Sequence, residues 1–146
     1  MRTLATAAVA ALAAAAGAMA FASSSAQSPS KVAAAPSRFG TILFDGRGFV
    51  LYAFTRDGSR RSVCAGACAK AWPPYIVKRR PTAGTGVTAP SIGTIRRNDG
   101  RLQATYHGRP LYYYVGDRQP GQILCQNVSE FGGLWLVVRP NGTVVR

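Results

Sequence analysis

The chain reads as all-β: a mainly antiparallel sheet of two pseudo-symmetric repeats, with one short helical turn near residues 64–72. Three observations predict this. Apolar residues alternate at period two through most of the chain beyond residue 38. Tight-turn sequences interrupt the alternation at Asp45-Gly46-Arg47-Gly48, Asn98-Asp99-Gly100 and Pro140-Asn141-Gly142. One segment also recurs: Leu51-Tyr52-Ala53-Phe54-Thr55-Arg56-Asp57 matches Leu111-Tyr112-Tyr113-Tyr114-Val115-Gly116-Asp117 at an offset of sixty residues.

The expected strands are residues 41–44 and 49–55 around the first turn, then 92–97 and 102–106 around the second. His107-Gly108 is a further turn, where histidine tolerates a positive φ, and it leads into a strand over 110–115. Residues 134–138 and 143–145 flank the last turn. The single helix candidate spans 64–72 and stops at Pro73-Pro74, because proline lacks the N–H a helix needs and clashes with the preceding turn. Residues 81–90 read as a loop. Each copy of the repeated segment follows a glycine turn and precedes a cysteine (Cys64, Cys125) and then a tryptophan (Trp72, Trp135). That shared order implies two halves that complete each other's core.

The 146-residue chain is one domain's worth of sequence. Arg2, an apolar alanine-rich run over 4–21 and small-residue cleavage sites up to Ala26 predict a cleaved signal peptide over 1–26. Residues 27–37, rich in Ser, Ala and Pro, read as a disordered linker, and 38–146 as the single folded domain. With the leader removed, no transmembrane helix is expected. With no cysteine before Cys64, a lipid anchor is not expected either. The expected location is periplasmic or extracellular.

The balance of 18 Lys and Arg against 5 Asp and Glu makes the chain strongly basic. Such an excess favours anionic partners: lipid head groups, polysaccharides or cell-wall polymers. The charges are scattered, and no dedicated nucleic-acid module is recognisable. Catalytic material is sparse, with one histidine and acidic residues at Asp45, Asp57, Asp99, Asp117 and Glu130 only. No G-x-S-x-G, H-E-x-x-H or phosphate-cradling loop is present, so a Ser/His/Asp site has only His107 to assemble around.

In a strand, Tyr52 and Phe54 share one face, as do Tyr112 and Tyr114. Asp57 and Asp117 fall at the strand ends, where a carboxylate can accept backbone N–H groups and close a turn. The rival reading brings the two carboxylates together for acid/base or metal chemistry. Cys64 and Cys68, four apart in an exporting chain, lie within bridging range on a helical turn. Cys64 and Cys125 occupy matching places in the repeats, so a long bridge between them is the competitor. The C-x-x-x-C spacing without a following His is neither the c-type haem signal nor a standard zinc pattern, and no metal site or cofactor is expected.

These residues together resemble the bacterial secreted-repeat family, predicted lipoproteins with a Y-x-[FWY]-x-x-D motif. The resemblance rests on Tyr52-x-Phe54-x-x-Asp57, Cys64-x-x-x-Cys68-Ala69-x-x-Trp72-Pro73-Pro74, Tyr106-x-Gly108-x-Pro110-Leu111-Tyr112-x-Tyr114-x-x-Asp117 and Gly133-x-Trp135. It implies an exported bacterial protein of uncharacterised function. It also supplies both Cys64 and Cys68 within one motif, which favours the short bridge and leaves Cys125 as an addition. The leading functional expectation is a non-enzymatic envelope module, binding or structural, with Trp72, Tyr75 and Tyr113 offering a stacking surface for sugar rings where exposed. The alternative is a redox-linked or metal-handling envelope protein using its Cys and His residues.

Overall fold

A computed structural model describes residues 30–146. The expected signal peptide lies outside the described residues. Among the described residues, ten strands form three small sheets, joined by one α-helix and one 3-10 turn at Ala89–Ser91. The strands are β1 (Lys31–Ser37), β2 (Gly40–Asp45), β3 (Tyr52–Phe54), β4 (Ile76–Val77), β5 (Thr82–Ala83), β6 (Ile92–Arg96), β7 (Leu102–Tyr106), β8 (Arg109–Pro110), β9 (Val128–Glu130) and β10 (Gly133–Val137). Helix α1 (Ala67–Ala71) is one turn of good helix formers, opened by Gly66 at a φ of 58° and closed by Pro73-Pro74.

Three expectations need correction here. Beyond Pro110 the strand expected over 110–115 reduces to isolated bridges at Tyr112. Residues 31–37 are strand rather than linker, because β1 pairs antiparallel with β2 and buries Val32 completely. Ala and Pro have low strand propensity, and the pairing with β2 overrides it, which composition alone does not reveal. Within the loop expected over 81–90, Thr82–Ala83 adds to β1 as a short parallel strand.

The turns form as their sequences predict, by one device. Asp45, Asp99 and Asn141 each accept, at Oδ1, the backbone N–H two residues on, from Arg47, Arg101 and Thr143. His107 and Gly108 take φ values of 46° and 76° in the β7–β8 turn.

The repeats are visible in the hydrogen bonding. The β1–β2 pair has its counterpart in β6–β7. Leu51 N–H donates to Leu43, and Leu43 to Val138; correspondingly Leu111 donates to Ala104, and Ala104 to Tyr75. These chains also reveal an exchange. Strand β10, from the second repeat, pairs with β3 of the first, setting Trp135 opposite Phe54 and Val137 opposite Tyr52. The matching segment of the first repeat, around Pro74, pairs with Tyr112 of the second. Val115 N–H donates to Ala71 just as Thr55 N–H donates to Leu134. Each repeat therefore lends its tryptophan-bearing segment to the other.

Alternation along the motif separates two cores rather than core from solvent. Tyr52, Phe54 and Tyr112 enter one apolar cluster with Trp72 and Trp135. Leu51, Ala53 and Leu111 enter the second, with Leu43, Tyr75, Ile92 and Tyr106.

Candidate functional site

The motif residues converge at the junction of the repeats. Tyr52 and Tyr112 face each other as an antiparallel bridge, exchanging both backbone hydrogen bonds at 2.9 Å. Both side chains are fully buried. Each phenol reaches the aspartate of the opposite copy: Tyr52 Oη donates to Asp117 Oδ2 at 2.7 Å, and Tyr112 Oη to Asp57 Oδ2 at 2.6 Å. The second oxygen of each carboxylate accepts a loop N–H, from Val63 for Asp57 and from Leu124 for Asp117. Burial, above all, raises both tyrosines well beyond their ordinary value, so they remain neutral donors. Burial likewise raises both aspartates, although the bonds they accept pull the other way.

The aromatic rings repeat the symmetry. Trp72 and Trp135 stack with centroids 4.1 Å apart and planes within 4°. Tyr52 sets its edge on Trp72, and Tyr112 on Trp135. Phe54 stacks on Trp135, while Tyr114, its counterpart, packs on Trp72. Both indole N–H groups end on Glu130, one at the side chain and one at the backbone carbonyl. Trp72 is thus buried beyond reach of a ligand, which removes it from the expected stacking surface. Tyr75 and Tyr113 border a cleft with Lys31, Asp45 and Arg47, but Tyr75 is itself buried and donates to Lys31 O, which removes it from the expected surface too, and Tyr113 Oη is tied to Asp45.

Further polar residues join the first aspartate's surroundings. The Arg97 side chain, only 6% exposed, donates to Ser62 Oγ, Cys64 O and Gln103 Oε1. Ser62 Oγ in turn lies 2.6 Å from Tyr112 Oη. Sequence reading assigned Arg97, Gln103 and Ser62 no part in a site, because the contacts that join them span up to 50 residues of chain and leave no local pattern. Cys64 and Cys68 are disulfide-bonded, with Cα atoms 5.3 Å apart, as expected. Cys125 is a half-buried free thiol whose burial raises its ionisation above the ordinary range.

This arrangement holds protons in place and offers little chemistry. Each carboxylate has both oxygens occupied. Among the described residues, no group of three or more His, Cys, Asp or Glu side chains gathers in metal-binding range. His107 and Ser59 share a cleft with Asp57, yet among the described residues no hydrogen bond joins His107 to either. The motif is a lock between repeats, and clefts open on both sides of the His107-Gly108 turn, one of them reaching Phe54 and Asp57 of the motif.

A family described as a secreted repeat of unknown function matches residues 35–75 and 93–139, together more than half of the chain. The protein belongs to this family of exported repeat proteins. The two matched segments are the two repeats that exchange strands. No curated protein and no solved structure matches the chain. No helix among the described residues is long and apolar enough to cross a membrane.

Proposed function

We propose that this chain is an exported, non-enzymatic module that docks on an anionic component of the cell envelope. It works after its leader is removed, in the periplasm or outside the cell, without a lipid anchor. One observation carries the reading: all five acidic side chains are engaged by partners within the chain. Asp57, Asp117 and Glu130 serve tyrosine and tryptophan donors, and Asp45 and Asp99 close turns onto Arg47 and Arg101. Among the described residues only Arg47, Arg97 and Arg101 have a carboxylate within ion-pair distance. The other Lys and Arg side chains among the described residues face solvent without an acidic partner, so the surface potential is positive and available. The motif itself supports a structural role, since its groups are saturated by one another.

Cosedimentation tests this. The mature protein is mixed with vesicles of phosphatidylglycerol or phosphatidylcholine, and titrated with soluble tripolyphosphate. Binding to the anionic partners alone is expected, with release as salt rises through about 0.15 M, where screening acts over roughly 8 Å. Equal binding to neutral vesicles, or none to any anion at low salt, sinks the reading.

A further inference from the structure

We propose that the cleft beside the His107-Gly108 turn is a binding site for a phosphate group, carried by an envelope polymer or a lipid head group. This rests on the anionic partner argued above and assigns it a place and a chemistry.

The cleft, of about 510 Å³, is walled by Ile92, Gly93 and Thr94 of β6 and Thr105 of β7. Arg60, Arg80 and His107 reach it from three separate segments, Ser91 and Thr94 bring hydroxyls, and its lining includes no carboxylate. Backbone bonds hold those segments together. Arg60 N–H donates to Gly108 O at 2.7 Å, and His107 N–H to Ser91 O at 2.8 Å. The Arg80 guanidinium is steadied by donating to Ala89 O, which leaves further N–H groups for a ligand. Donors on three segments suit an anion with more than two acceptor oxygens, and guanidinium groups pair bidentately with phosphate.

Two backbone features support the assignment. Arg60 sits at a φ of 59°, a left-handed conformation that glycine or asparagine would adopt with less strain. That conformation fixes the Arg60 side chain at the rim of the basic cleft. Gly108, at a φ of 76°, lets the Arg60 loop approach: a Cβ there would stand 3.0 Å from Ser59 Oγ. The cleft is therefore assembled from both repeats and exists only in the folded domain.

Arg60→Gly separates binding from folding, because it removes the guanidinium while relieving the backbone. Binding of tripolyphosphate to the full mature protein is measured by calorimetry, with Arg80→Gln beside it and Arg118→Gln as a charge-matched control elsewhere on the surface. Arg60→Gly and Arg80→Gln should each weaken binding at least about tenfold, and Arg118→Gln less than about twofold. Arg60→Gly should not lower the melting temperature. Phosphatidylglycerol vesicles that compete with tripolyphosphate, with the same sensitivity to the variants, would support the site and identify a lipid source. Variant-sensitive tripolyphosphate binding without vesicle binding would support the site and identify a soluble or polymeric phosphate. Equal losses in the control and the cleft variants would overturn the cleft while leaving the anionic partner intact. Absence of saturable binding in the unmodified protein would overturn both.

Discussion

Residues 57–72 and 117–135 connect the same two landmarks, a motif aspartate and a core tryptophan, yet they are held by different means. The first connection carries the Cys64–Cys68 bridge and is pinned by the buried Arg97 through Ser62 and Cys64 O. The second has neither. Its free Cys125 lies where Cys64 lies in the first, and glutamines hold its backbone instead: Gln122 accepts from Arg118 and Gln119, and Gln126 spans Val137 and Val145. The Tyr–Asp bonds at the junction and the loop N–H each carboxylate accepts nevertheless match from one repeat to the other. The difference teaches that the aromatic and Tyr–Asp contacts define the repeat, whereas the bracing of each loop is local and replaceable.

The largest effect should come from separating the repeats. Since each lends a strand to the other, residues 30–80 and 81–146 expressed apart should both remain unfolded, and mixing them should restore one complex with native circular dichroism. A half that folds cooperatively by itself would break the comparison at its root.

Next come the stacked indoles. Trp72→Ala and Trp135→Ala should each destabilise the domain by about 3–5 kcal/mol, the range for deleting a large buried aromatic. Chemical denaturation measures both. The symmetry requires similar costs, so a difference beyond about 2 kcal/mol would show that one tryptophan dominates the junction.

The bridge should matter less. Cys64→Ser with Cys68→Ser should cost about 2 kcal/mol, since a bridge closing so short a loop constrains the unfolded chain little. The same loss measured under reducing conditions in the unmodified protein would sharpen the point. Collapse of the fold without the bridge would show that the first loop depends on it in a way the second does not.

The smallest effect concerns pH. Asp57 and Asp117 are both raised in the folded state, chiefly by burial. Such groups favour folding fully below the unfolded carboxylate value of about 4, and the contribution fades as pH rises through their higher folded values. Asp99, lowered to about 2 mainly by its bond from Arg101, acts in the opposite sense: its support is lost only as pH falls toward about 2. Between about pH 4 and 7, Asp57→Asn and Asp117→Asn should therefore each flatten the decline of melting temperature with rising pH. A steeper slope in either variant would contradict the assigned direction.

Much of the fold was legible because its signals are short-range. The turns at Asp45, Asp99 and Asn141 rest on a side chain meeting a backbone N–H two residues away. The Cys64–Cys68 bridge rests on two cysteines only four residues apart, joining the segment before α1 to the helix itself, and the core positions of Tyr52 and Tyr112 rest on the two-residue period of an extended chain. The strand role of residues 31–37 was hidden because Ala, Pro and Ser there become strand only beside β2.

By itself, then, the order of residues determined that there are two copies, where each turns, and which of its residues are apolar. Tertiary structure alone decided that Tyr52 bonds Asp117 rather than Asp57, that Trp72 stacks on Trp135 in the interior, and that Arg60, Arg80 and His107 meet at one cleft. The reason is physical. Every strand offers the same backbone donors and acceptors, so the choice of partner is written in no local pattern; it is settled by which pairing buries both aromatic faces at once.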